Sequence, residues 1–177
     1  KPRSRVPVVI TYEYPLNERV RTLLRLEDLY ERVHHFLGRD HPSDHHACLA
    51  GIFEILEVAS RADLKSDLLQ ELERQRTFLE ALRDNPAISR EKLDQVLSDI
   101  DLAFTNLHGA SGKTGQNLRE NEWLMALKQR AGIPGGTSEF DLPSYHYWRH
   151  LPTARRQADI AGWLKPLTPV YAALSIV

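Results

Sequence analysis

Cysteine is nearly missing from these 177 residues: there is one, Cys48. An internal disulfide is therefore excluded, and a reducing, cytoplasmic setting is the natural expectation. Long apolar runs are missing too. No window approaches the roughly 18 uninterrupted apolar residues that a membrane span needs, so no direct membrane insertion is expected. The opening Lys1-Pro2-Arg3-Ser4-Arg5 is basic, but the apolar run Val6–Ile10 is too short for a signal peptide, and the charge of Glu13 comes soon after it. Charge of one sign is not in excess. The formal net charge is −1, which excludes a strong global basic field and with it a general affinity for nucleic acid. Internal repeats and low-complexity tracts are absent as well.

What is present is a globular composition, 42% hydrophobic and 27% charged. Its length suits one substantial domain, or a domain plus a fragment, and the chain opens on Lys rather than Met, as a trimmed or partial chain does. Charge is unevenly placed. Residues 1–39 carry eight Lys/Arg against five Asp/Glu, residues 40–127 nine against sixteen, and residues 128–177 six against three. Basic ends thus flank an acidic middle. A solvated mixed-charge helix surface explains this, and it also permits one assembled positive face.

The pattern along the chain is mainly α. Val6 to Tyr14 reads as a strand, being β-branched and aromatic, but no second convincing strand is present, and a lone strand needs partners. From Pro15 a long helix is predicted, with Leu16, Val20, Leu23, Leu26, Tyr30, Val33 and Leu37 at spacings of three and four and Gly38 as its stop. Ser43 or Asp44 caps a second helix from about His45 to Ser60, the least polar one. Asp63 opens a third, striped by Leu64, Leu68, Leu72, Leu79 and Leu82 and ended by Asn85-Pro86. Ser89 opens a fourth through Leu107. His108 to Gly115 reads as a flexible loop, and a fifth helix covers about Gln116 to Ala131. The loop Ile133–Pro143 is rich in turn formers, with Ile133, Phe140 and Leu142 as apolar anchors. Short helices at Ser144–His150, Pro152–Leu164 and 167–177 complete the chain.

Few residues point to chemistry. Gly112-Lys113-Thr114 has the end of a phosphate-binding loop, but the first glycine that motif requires is replaced by Leu107 and the segment before it is a helix, so a mobile linker is the better reading. His34, His35, Asp40, His41, Asp44, His45, His46 and Cys48 form a group with metal-ligand chemistry. The class-level rival to a binding protein is accordingly a small metal-dependent enzyme using His41, His45 and His46. No H-E-x-x-H or C-x-x-C frame is present, however, and cap and surface roles explain these residues. Cys48 in A-C-L-A reads as a buried, inert thiol. Tyr145, His146, Tyr147 and Trp148, with Phe140 and Trp163, read as a core plug rather than a ligand box, with His146 a buried or half-buried structural residue. No catalytic residue, cofactor or metal is expected.

Three stretches carry a resemblance: P-L-N-E-R-V-R-T-L-L-R-L-E from Pro15, L-R-E-N-E-W-L from Leu118, and I-P-G-G-T-S-E-F-D-L-P-S-Y-H-Y-W-R-H-L-P from Ile133. Together they resemble the cell division protein family ZapD. The third is the most specific, through its order of Pro-Gly-Gly, Phe-Asp-Leu-Pro, His, Trp and Leu-Pro. The His-rich loop and the region His108 to Gly115 are least like the family. The resemblance implies an α-helical domain followed by a β domain, in a homodimer with no known enzymatic activity. It also implies binding to the acidic and apolar C-terminal tail of FtsZ, the tubulin-like GTPase of the division ring, and cross-linking of FtsZ filaments in the cytoplasm at mid-cell. On that expectation residues 1–15 are a strand segment that joins a C-terminal β domain largely absent from this chain, and residues 16–177 are the helical domain. The implied tail-binding residues are basic: Arg61, which matches a position the family uses, and Lys65 beside it. Arg21 and Arg25, sharing a helix face, are further candidates, although pairing with Asp28 or neighbouring carboxylates is the better reading of them. Arg61 could equally serve as a cation at a helix C-terminus.

Overall fold

The computed structural model describes residues 11–61, 63–110 and 112–177, with only the backbone described at Arg61. Among these residues every regular element is helical. Asn17 starts the first: its side chain accepts a 2.8 Å hydrogen bond from the Val20 amide, and Glu18 adds negative charge in the first turn. α1 then runs Glu18–Leu37 and buries Leu23, Leu26, Leu29, Tyr30 and Val33 on one face. Pro42 sits first in α2, Pro42–Arg61, where a missing amide proton costs nothing. The expected start near His45 is therefore three residues late, and Ser43 and Asp44 lie inside the helix. α1 and α2 form a hairpin through residues 38–41 and pack along their length. Gly51 lets them close: a Cβ there falls 2.6 Å from Val33 Cγ2.

A second hairpin comes next. α3 spans Leu64–Glu80 and α4 Arg90–Gly109. Ser89 caps α4 by accepting from the Lys92 amide at 3.4 Å. Leu68, Leu72, Ile100 and Leu107 belong to the core, and both helices pack on each other and on the last helix of the chain. The segment expected as one helix over 116–131 is two: α5, Gln116–Arg119, and α6, Glu122–Ala131. Asn121 breaks it, since its backbone is extended (ψ 103°) and its side chain accepts from the Leu124 amide at 3.0 Å. α7 spans Pro143–Arg149 and α8 Thr153–Leu164. A 3-10 turn, Lys165–Leu167, leads into α9, Thr168–Leu174, which packs on α4, α3 and α1. Leu26, Ile52, Ile55 and Leu124 are completely enclosed, and cutting any of these to Ala costs about 2–5 kcal/mol.

Two local expectations are not supported. Residues 11–14, the described part of the expected strand Val6 to Tyr14, are irregular, and Val6–Ile10 lie outside the described residues. A strand needs a neighbour to satisfy its backbone, and no second strand exists among the described residues. In the loop before α7, Ile133 and Phe140 do not anchor the core; they are 51% and 82% exposed. Backbone hydrogen bonds hold that loop instead, from Gly136 N to Ile133 O and from Leu142 N to Ser138 O, each at 2.9 Å. An Arg130–Asp141 ion pair at 3.7 Å assists them.

Candidate functional site

The end of the bundle where α2 stops and α3 starts carries a cavity of about 650 Å³. Its charged lining is Lys65, Lys113 and Arg119 against one carboxylate, Asp63. The loop after α4 forms one wall. That loop turns into α5 at Gly115, whose φ of +73° is left-handed and whose missing Cβ leaves room for Leu56 Cδ2. Lys65 reaches across to it: its Nζ donates to the His108 carbonyl at 3.0 Å and the Ala110 carbonyl at 2.7 Å, the open carbonyl end of α4. Arg119 donates to the carbonyls of Thr114 and Leu56, each at 2.7 Å. Arg61 is the last residue of α2 and so stands at the edge of this region.

Arg21 and Arg25 sit elsewhere. Both pair with Glu18, each at 3.5 Å. The carboxylate they share is thus Glu18 rather than Asp28. Arg25 lines a shallow depression of about 310 Å³ with Arg32, Asp28, Glu54 and Glu57. Carboxylates outnumber cations there, so an anionic ligand gains little. A third cavity, about 700 Å³ between α1, α3 and α9, is also balanced: Arg19 and Arg74 face Glu27 and Glu71. Of these three cavities, only the one at the end of α2 has a clear positive excess.

The His-rich segment does not converge. Among the described residues no group of three or more His, Cys, Asp or Glu side chains is placed to hold a metal ion. His41 Nδ1 accepts from the Ser43 amide at 3.1 Å. His45 is fully buried, not a surface residue: its Nε2–H donates to the Arg39 carbonyl at 2.7 Å, while Nδ1 accepts from Arg156 Nε at 2.9 Å. Burial lowers its pKa, the Arg39 carbonyl opposes that, and the Arg156 charge lowers it further. His46 turns the other way and shares a 2.6 Å hydrogen bond with the Tyr145 hydroxyl. Burial, then the Arg149 charge, lowers its pKa too. Cys48 is enclosed, and burial pushes its thiol up to about 12, which fits an inert core residue.

Sequence reasoning missed Arg156. It is 4% exposed, and its guanidinium donates to the carbonyls of Asp40 (2.6 Å), Arg149 (3.1 Å) and Leu151 as well as to His45. It falls at i, i+4, i+8 with Ile160 and Leu164, so an arginine on an apolar stripe was the available signal. Beside it, Tyr145 and Trp148 are buried, as a core plug requires, and Trp123 and Trp163 join them with neighbouring ring centroids 5.3–6.2 Å apart. Trp148 Nε1 donates to Asp159 at 3.1 Å. His146 is half-buried, and Tyr147 and Phe140 face outward.

This arrangement is an all-helical scaffold among the described residues, and comparison gives its class as a cell division protein. The model of the family described as "ZapD: Cell division protein" matches residues 24–177. The chain is 58% identical over 173 residues to Cell division protein ZapD of Aromatoleum aromaticum, covering 98% of this chain and 68% of that protein. It is 58% identical over 169 residues to that of Chromobacterium violaceum and 56% identical to that of Janthinobacterium sp., covering 96% of this chain and 67% of each. The chain belongs to the ZapD family. It spans about two thirds of the length of these relatives. None of its described helices is long and apolar enough to cross a membrane.

Proposed function

We propose that this chain binds the acidic C-terminal tail of FtsZ and, as a homodimer, cross-links FtsZ filaments in the cytoplasm at the mid-cell division ring, without enzymatic activity. Membership of a cell division family over residues 24–177 carries the reading. The positive cavity at the end of α2 supports it physically, because a carboxylate-bearing peptide is held by charge-assisted hydrogen bonds with apolar contact beside them. Arg61 and Lys65 lie at that end and are the primary tail contacts. Arg21 and Arg25 contribute once a tail carboxylate replaces Glu18. Residues 16–177 form the helical domain of this assembly. A twofold dimer presents two tail sites, and avidity along a polymer converts modest tail affinity into firm cross-linking.

Co-sedimentation of assembled FtsZ with the protein tests the bundling. Fluorescence anisotropy of an FtsZ tail peptide tests the contact directly. Arg61→Glu is expected to weaken the peptide at least several-fold; unchanged affinity removes Arg61 from the site. A complete, folded protein that stays monomeric and ignores the peptide at low ionic strength overturns the proposal.

A further inference from the structure

The cations around the α2-end cavity differ in what they are already doing. Lys65 is committed to two carbonyls at the end of α4. Arg119 is committed to the Thr114 and Leu56 carbonyls. Both still contribute charge, but neither can turn to a ligand without releasing a backbone carbonyl. Lys113 is the exception. It lines the same cavity and is exposed, and its ammonium makes no hydrogen bond or ion pair to any described residue, while its carbonyl accepts from the Gln116 amide at 3.0 Å. It also lines the narrow cleft next door, with Gln116 and Asn117.

The placement of Lys113 is specific although its side chain is free. Two left-handed glycines bracket it, Gly112 at φ +75° and Gly115 at φ +73°. At Gly115 the turn is held against Leu56 in the core. Behind it Arg119 pins the Thr114 carbonyl, and ahead of it Lys65 pins Ala110. The loop therefore presents one unengaged ammonium over a cavity whose walls are already positive.

We propose that the loop 112–115 is a docking element for an acidic extended peptide, with Lys113 as its ligand-facing ammonium and Lys65 and Arg119 as the fixed positive wall. This rests on the tail-binding reading and adds the site's geometry: the peptide runs across the cavity between the start of α3 and the loop, and a carboxylate meets Lys113. A nucleotide phosphate is disfavoured, because the loop comes after a helix rather than a strand and the α5 beyond it is only four residues long.

The test is anisotropy of a labelled FtsZ tail peptide, and of the same peptide with its carboxylates converted to amides, titrated with the whole chain at low and high salt. Lys113→Glu is expected to weaken the acidic peptide by about fivefold or more at low salt, with a smaller effect at high salt, as rim charges do. The amide peptide should not distinguish the variant. Lys92→Glu makes the same change in net charge near the other end of α4, about 25 Å along the helix from its last residue, and is expected to leave binding unchanged. If Lys113→Glu and Lys92→Glu weaken binding equally, the effect is global charge and the docking role is overturned. If the unaltered chain binds and Lys113→Glu binds as well, the loop is overturned while tail binding stands. If the unaltered chain ignores the peptide, both fall. Competition by inorganic phosphate, with no preference for the acidic over the amide peptide, reassigns the loop to phosphate and overturns the peptide assignment.

Discussion

Two ends of this molecule are rich in cations and use them oppositely. At the α7–α8 end, Arg156 is buried and spends its donors on three backbone carbonyls and on His45. At the α2–α3 end, the cations surround an open cavity and one of them, the Lys113 ammonium, has no partner among the described residues. The first arrangement joins the 39–40 turn, the 149–151 turn and α2, so it acts as a structural tie. The second leaves charge facing solvent, where a partner can collect it. An arginine or lysine is thus informative only through the acceptors around it, and sequence spacing does not supply those.

The comparison can be broken most forcefully at Arg156. Arg156→Ala removes the charged donor from the part-buried carbonyls of Asp40, Arg149 and Leu151, and hydrogen bonds to a charged donor are each worth about 1.5–3 kcal/mol. We expect a loss of about 3 kcal/mol or more, read as a lower urea midpoint at unchanged slope. A loss below about 1 kcal/mol contradicts the tie.

The same tie makes folding sensitive to acid. Burial disfavours protonated His45 in the native state, whereas in the unfolded chain a histidine titrates near its ordinary value of about 6.5. As the pH falls below that value the unfolded chain takes up the proton first, so this contribution to stability is complete above about pH 6.5 and is lost progressively on acidification, down through the lowered native pKa. His46 shifts in the same direction, so His45→Gln should reduce the slope of stability against pH between about 6.5 and 5 without abolishing it. An unchanged slope rules out His45 as a source.

At the open end the effects are smaller. Lys65→Met removes the donor to two exposed or part-buried carbonyls. We expect about 1 kcal/mol of destabilisation and faster amide exchange over the last turn of α4. Glu18→Gln frees Arg21 and Arg25. An exposed pair is worth about 0–1 kcal/mol, so stability should move by about 0.5 kcal/mol or less while affinity for the tail peptide rises. No gain in affinity argues that these arginines serve only α1.

The helices are largely legible in the sequence because leucine recurs at three and four along α1, α3 and α4, and caps such as Asn17 and Ser89 carry ordinary side-chain chemistry. The errors have local causes. Pro42 looks like a loop signal yet opens α2. Leu118, Trp123, Leu124 and Leu127 keep a helical rhythm across the break that Asn121 makes. Ile133 and Phe140 look like anchors, but burial is decided by which neighbours arrive, and none cover them. For the candidate site, family likeness points to Arg61 and Lys65, whereas Lys113 lies hidden inside an incomplete nucleotide motif. Its significance depends on Lys65 and Arg119 already being occupied, and that is a property of the folded chain.

All three tryptophans of the chain, Trp123, Trp148 and Trp163, share the single aromatic cluster of α6, α7 and α8. Intrinsic emission therefore watches one corner of the molecule, while far-ultraviolet dichroism averages over every helix. Superimposed denaturation curves from the two signals would indicate that the tied corner and the open end melt as one cooperative unit. Separated curves would measure how far one can loosen while the other stays intact.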